Sequence, residues 1–291
     1  MTSENNSLLL NLQEVDKTTG EVVKLDVNST STVQPVALMR LGLFVPTLKS
    51  TGKSKANRKN VTDATEELVQ LSIAKSEGYT DVKITGSRLD MDTDFKVWLG
   101  IIRSMSEYGV KSDTLELSFV EFVKMCGFDS RRSNKKMRDR ISNSLFKLAS
   151  VTLKFQSETK GWTTHLVQSA YYDINEDIVE IKAEPKLFEL YHMDRRVLLR
   201  LKAIDALQRK ESAQALYTYI ESLPQNPAPI SMKRMRDRLN LTSNVYTQNH
   251  TVRKAMEQLR DIGYLDYTEF KRGRATYFSV RYRNPTIISG P

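Results

Sequence analysis

The sequence predicts an α+β protein made of two tandem winged-helix domains, and three observations carry that prediction. A capped short helix, a polar turn and a longer helix with a basic first half occur twice, over residues 117–148 and again over 230–259. Each copy is followed by segments that alternate apolar and polar like strands. The copies also align at a nearly constant offset. Ser118 matches Ser231 and Cys126 matches Leu239 at 113 residues, while Leu145 matches Met256 and Leu148 matches Leu259 at 111. An offset that large means a duplicated domain rather than a solenoid, whose period is a few tens of residues.

Taken in order, residues 1–35 are rich in Asn, Ser and Thr and predict a mobile N-terminal arm. Residues 36–60 combine an apolar docking segment with a polar, basic loop from Ser50 to Asn60. The first domain spans 61–195. Asp63 and Glu66 suggest a capping box before an apolar stripe at Leu68 and Leu71. Residues 82–85 alternate as a strand. Phe95, Trp98, Leu99, Ile102 and Met105 recur at helical spacing over 92–108, and Gly109 suits a left-handed end to that helix. A short strand at 114–117 leads into the first helix pair. Residues 151–155 and 164–172 then read as paired strands around Lys160-Gly161, with a third strand at 178–181 and a short helix at 185–191. Residues 197–207 are apolar enough to pack the domains together.

The second domain spans 196–291. It opens with a helix over 211–220, broken by Pro224, Pro227 and Pro229, since proline lacks the amide hydrogen and fixes φ. Ser231 caps the next helix. Strands at 265–270 and 276–282 flank a turn at Arg272-Gly273-Arg274.

Charge is unevenly placed. The chain of 291 residues carries 44 Lys+Arg against 35 Asp+Glu, a formal +9, and residues 195–291 alone hold 18 basic and 8 acidic side chains. The rest is close to neutral except for residues 131–150, where seven positives face only Asp139. Basic charge focused on two matching segments predicts a polyanionic partner rather than two solvated helix faces. No apolar run approaches the roughly 20 residues of a bilayer span, and the first residues lack a signal-peptide pattern. A cytoplasmic protein with no membrane partner is expected. The single cysteine, Cys126, follows Phe122 and Met125 on an apolar face and reads as a buried small hydrophobe.

In a helix-turn-helix the N-terminal half of the second helix enters the major groove of duplex DNA. Here that half is Thr247, Gln248, Asn249, Thr251, Arg253 and Lys254, with Val252, Met256 and Leu259 facing the core. Gln248 and Asn249 have the amide pattern for adenine, and Arg253 the fork for guanine. Lys233 and Arg234 on the preceding helix join this DNA-binding set. The first unit offers Arg131, Arg132, Asn134, Lys135, Lys136, Arg138 and Arg140, more charge and fewer amides. It is expected to grip phosphate, with Asn134 and Arg138 also candidates for bases. Lys271, Arg272 and Arg274 place three positives on a wing tip, where arginine suits a narrow minor groove.

Other chemistry has weaker support. Gly52-Lys53-Ser54 ends like a phosphate-binding loop, but position 47 is Thr rather than Gly. His192-Met193-Asp194-Arg195 fits the His-x-x-Arg of tyrosine recombinases at two positions only. A strand-transfer enzyme using His192, Arg195 and a tyrosine stays a third alternative. The three histidines, His165, His192 and His250, are far apart, and no Cys/His zinc spacing exists. No catalytic residue, metal or cofactor is expected.

Four strings carry a resemblance. Val33-Gln34-Pro35-Val36-Ala37-Leu38-Met39-Arg40-Leu41-Gly42, His165-Leu166-Val167-Gln168-Ser169-Ala170-Tyr171-Tyr172-Asp173, Glu211-Ser212-Ala213-Gln214-Ala215-Leu216-Tyr217 and Ala255-Met256-Glu257-Gln258-Leu259-Arg260-Asp261-Ile262-Gly263-Tyr264-Leu265-Asp266-Tyr267 resemble the RepA/RepE family of theta-replicating plasmid initiators, in its RepFIB-type branch. The resemblance covers residues 33–283. It implies binding to direct repeats (iterons) at a plasmid origin, melting of adjacent DNA, and recruitment of the host initiator and replicative helicase. It also implies monomers on iterons, dimers repressing their own gene at an inverted repeat, chaperone-assisted conversion between them, and dimerisation through the first domain near residues 151–172. A plain winged-helix repressor shares the same DNA chemistry, and only the resemblance separates the two.

Overall fold

A computed structural model describes residues 13–15, 22–24, 27–47, 61–63, 79–108, 114–129, 134–173 and 175–284. Asp63 of the expected capping box ends the strand Val61–Asp63, while its partner Glu66, the stripe at Leu68 and Leu71, the loop at 50–60, the cap at Gly109 and the pair Arg131 and Arg132 lie outside the described residues.

The architecture is mixed α/β. In the N-terminal stretch, strand β1 (Gln13–Val15) pairs antiparallel with β2 (Val22–Lys24). Strand β3 (Ser31–Pro35) is buried along its whole length and pairs with β13 (Arg196–Arg200). The end of the expected arm is therefore part of the body. Its polar composition misleads because the polar groups bond to one another. Gln34 accepts from Trp98 Nε1 at 2.9 Å and from Tyr191 Oη at 3.1 Å, and donates to Thr32 at 3.0 Å. A buried amide with these partners satisfied avoids the desolvation cost that otherwise keeps such residues outside.

Helix α1 (Val36–Arg40) and strand β4 (Phe44–Val45) follow, with β4 parallel to β7 (Leu89–Asp90). Four antiparallel strands form one sheet in the order β10 (Gly161–His165), β9 (Thr152–Gln156), β6 (Asp81–Thr85), β5 (Val61–Asp63). Helix α2 (Asp94–Tyr108) buries Phe95, Trp98, Ile101, Ile102 and Met105. Gly100 lies where α2 meets the chain at Cys126, and a Cβ there would overlap the Cys126 sulfur. Burial pushes that thiol's pKa far up, so it stays protonated.

The first repeated unit continues with β8 (Thr114–Ser118), α3 (Phe119–Met125), α4 (Lys135–Ser150) and the hairpin of β11 (Val167–Asp173) and β12 (Ile178–Ala183). The sheet order is β11-β12-β8. This corrects the expected pairing of 151–155 with 164–172. Strand β9 pairs with 161–165, and the chain then leaves that sheet. Leu166 and Val167 are both buried, so the alternation breaks there, and a bulge between Val167 and Ser169 turns the strand into a second sheet.

Helix α5 (Pro185–Met193), strand β13 and helix α6 (Leu201–Ala206) join the units. The second unit has α7 (Glu211–Glu221), β14 (Ile230–Ser231), α8 (Met232–Leu239), α9 (Val245–Asp261), β15 (Leu265–Arg272) and β16 (Ala275–Arg283). Its sheet order, β14-β16-β15, repeats that of the first unit: the strand before the helix pair bonds to the last strand of the hairpin.

One apolar core runs through both units by way of α1, β13 and α6. Two buried arginines, Arg40 and Arg238, and the half-buried Arg88 reinforce the seam. Arg238 donates to the carbonyls of Met39 and Phe44, each at 3.0 Å, and Arg40 to that of Ser222 at 2.7 Å. Arg88 bonds to the carbonyls of Pro46 and Asn240 at 2.7 and 2.8 Å. Ser222 and Asn240 are the C-caps of α7 and α8, where unpaired carbonyls and the helix dipole favour a cation. No helix among the described residues is long and apolar enough to cross a membrane.

Candidate nucleic-acid interface

The second unit builds a basic, aromatic face around α9. Asn244 caps the helix, its side chain accepting from Thr247 N at 2.9 Å, so the first turn starts sharply after the polar turn. Val252, Ala255, Met256 and Leu259 are buried and fix the helix's rotation. Opposite them, Thr247, His250 and Lys254 are exposed, while Gln248, Asn249, Thr251 and Arg253 are half-buried.

The half-buried group is already bonded. Gln248 donates through Nε2 to the carbonyls of Leu241 (3.1 Å) and Ser243 (2.6 Å), tying helix to turn. Asn249 accepts from Arg236 at 3.2 Å, and Thr251 donates back to the Thr247 carbonyl at 3.0 Å. Arg253 is held by Glu269 of β15 through Nε (2.9 and 3.1 Å) and Nη2 (2.7 Å), which raises the arginine's pKa further. Lys233 pairs with Asp237 at 2.9 Å, and Arg234 lies 5.6 Å from the centre of the Tyr219 ring. At the hairpin tip Gly273 takes φ 60°, the left-handed value a tight turn needs, and Lys271, Arg272 and Arg274 are exposed. Arg272 rests over Tyr277.

In the first unit Asn134 is itself the N-cap of α4, accepting from Met137 N at 3.1 Å. Lys135 and Lys136 are exposed at that helix start. Arg138 stacks on Phe119 at 4.4 Å and pairs with Asp177 at 3.3 Å; Arg140 bonds to Asp92 (2.6 Å) and Thr93 (2.7 Å) and stacks on Phe128. The two hairpin tips also differ in sign. Asn175, Glu176 and Asp177 end the first, whereas Lys271, Arg272 and Arg274 end the second.

Sequence comparison decides the family. The chain is 59% identical over 277 residues to RepFIB replication protein A of Salmonella typhi and of Escherichia coli (strain K12), covering 94% of this chain and 85% of each relative. The chain belongs to the RepA family of replication initiators. A replication protein RepA of Salmonella typhi is 56% identical over 98% of this chain and 82% of its own. Residues 82–221, which run from β6 through the first helix of the second unit, match the family described as Initiator Replication protein, WH1, so this RepA chain carries a winged-helix initiator domain. A crystal structure of domains 2 and 3 of RctB superposes with a TM-score of 0.49 at 11% identity, covering 85% of this chain and 98% of that one.

Three features of this RepA face escaped the sequence reading. Tyr246 is 85% exposed at the first turn of α9, and Val245 beside it is 57% exposed. An aromatic and an aliphatic side chain standing out of a helix start suit base stacking and thymine methyl contact. Tyr246 was legible as a large side chain off the buried stripe, whereas Val245, seven residues before Val252, falls on that stripe by spacing and yet stands exposed at the helix start. Glu269 is the third; its part depends on a strand pairing that residue spacing does not show.

Proposed function

We propose that this RepA chain is a plasmid replication initiator whose two units act as tandem winged helices on duplex DNA. It binds direct repeats at the origin, promotes opening of adjacent DNA and recruits the host initiator and replicative helicase. The observation that carries the reading is the repeated strand order in two successive units, each with a capped helix whose exposed start is basic or aromatic. The second unit reads sequence through α9, using Thr247, Arg253 and Lys254 with Tyr246 and Val245, while Lys271, Arg272 and Arg274 follow the adjacent backbone or minor groove. The first unit grips phosphate through Lys135 and Lys136 at the start of α4, where helix amides add to the charge.

A dimer that represses its own gene fits the edge strand β11. Its residues Gln168, Ser169, Ala170, Tyr171 and Tyr172 are all exposed, and an exposed strand edge is a template for a second strand. Chaperone-assisted release of monomers belongs to the same reading, with the protein acting in the cytoplasm and without a cofactor.

A salt-dependent titration with footprinting on the DNA flanking the protein's own gene tests this. Protection of several direct repeats at regular spacing is expected. Protection of one inverted repeat alone indicates a repressor without initiator activity. Binding without a footprint means that the basic surfaces grip DNA and read nothing.

A further inference from the structure

We propose that Glu269 is a positioning residue that holds Arg253 for end-on recognition of a guanine. The inference rests on the reading of α9 as the helix that enters the major groove. Glu269 stands on β15, in the wing, and its carboxylate takes one edge of the Arg253 guanidinium: Nε donates to both oxygens at 2.9 and 3.1 Å and Nη2 to one at 2.7 Å. A guanidinium is planar and has five N–H donors. Occupying its Nε–Nη2 edge leaves the Nη1–Nη2 edge, with two parallel donors. That is the pattern that O6 and N7 of guanine accept in the major groove.

Placement agrees with this geometry. Tyr246, His250 and Arg253 follow i, i+4, i+7 spacing and share a helix face turned away from Val252, Met256 and Leu259. Arg253 sits two turns into α9, within the half that enters a groove. An arginine without an anchor samples many rotamers and loses that freedom on binding; one clamped by a carboxylate arrives ordered. The clamp has a cost of opposite sign. A carboxylate near the DNA repels phosphate and lowers affinity for every sequence alike. Glu269 thus trades general affinity for discrimination, a combination that a simple helix-to-wing tie does not produce.

Selection from a randomised duplex library with the full chain, followed by titration on the selected duplex and its single-base-pair variants, tests the assignment. Wild type should enrich guanine at one position of its site. Glu269→Ala should lower the preference at that position about tenfold, leave the other positions in place, and bind random-sequence duplex as well as or better than wild type. Glu269→Gln, which keeps the volume and one acceptor oxygen, should fall between. Arg253→Lys should lose the same position, and adding Glu269→Ala to it should cost no further discrimination. The proposal is overturned if Glu269→Ala and Glu269→Gln keep every base preference, or if they weaken all positions and random duplex equally. If wild type enriches no sequence at all, the groove reading of α9 fails and takes this assignment with it. A wild-type motif left intact by Glu269→Ala sinks the assignment alone.

Discussion

At the scale of single residues, positive charge in this chain occurs in two settings that composition does not distinguish. Lys136 is exposed at the start of α4, whereas Arg238 is 4% exposed and bonded to carbonyls of the 31–47 segment. Lys136→Ala should weaken specific and random duplex equally and lower the salt slope of binding by about 1. Arg253→Ala should instead lose roughly 1–3 kcal/mol on specific DNA and relax one base position. Titrations across salt on both kinds of duplex check the contrast, and equal effects of the two changes would refute the division between gripping and reading. Arg238→Met should remove the side chain that donates to both the Met39 and Phe44 carbonyls and destabilise the fold by on the order of 3 kcal/mol. Urea unfolding measures that loss, and the folded variant should keep its DNA affinity. Arg238 was not separable from Lys233 and Arg234 by sequence because its partners lie up to 199 residues away. Gln34 misled in the same way: its bonds to Trp98 and Tyr191 make a polar residue part of the core.

Elements were legible where their determinants are local. Ser118 and Ser231 cap α3 and α8 as their positions suggest, each accepting from the amide three residues on. The stripe Val252, Met256 and Leu259 is buried as its spacing requires. Strand partners were less legible, because alternation marks a strand without naming its neighbour. Residues 161–173 hold two strands in different sheets, and the switch at Leu166 and Val167 needs no glycine or proline to announce it. The turn before α9 shows how one element would serve the proposed interface. Asn244 caps the helix and Gln248 bonds back to Leu241 and Ser243, so the first turn that carries Val245 and Tyr246 is fixed at both ends. Asn244→Ala should cost about 1 kcal/mol of stability. It should also reduce specific DNA affinity more than random affinity, since fraying would disorder reading groups before it disperses charge. Thermal melting and paired titrations check both; an unchanged ratio of specific to random affinity would mean that the cap only stabilises.

For the whole molecule, the seam between the two units should respond to pH. Asp194, the C-cap of α5, accepts from Ala37 N at the start of α1 at 2.6 Å and is nearly buried. Burial raises its pKa from 3.8 to about 6, against the pull of the Ala37 and Arg195 amides and the Arg40 and Arg195 charges. Asp94 shifts the same way, to about 6, through burial and repulsion from Asp90, with Lys147 opposing. Because the folded pKa values exceed the unfolded ones, the folded chain keeps these protons where the unfolded chain has released them. The stabilisation they supply is greatest below about pH 4 and is lost as pH rises through about 6. Asp90, whose pKa is lowered, acts in the opposite sense but only at more acid pH. Asp194→Asn keeps an acceptor for Ala37 and removes the titration. Relative to wild type, the variant should therefore gain on the order of 2 kcal/mol between pH 4.5 and pH 7.5, read from urea midpoints at the two values. Parallel stability curves would mean that water reaches the carboxylate in the folded protein. The seam at α1 would then be open enough for the two units to shift against each other, and the buried arginines rather than the apolar core would be what holds them in register.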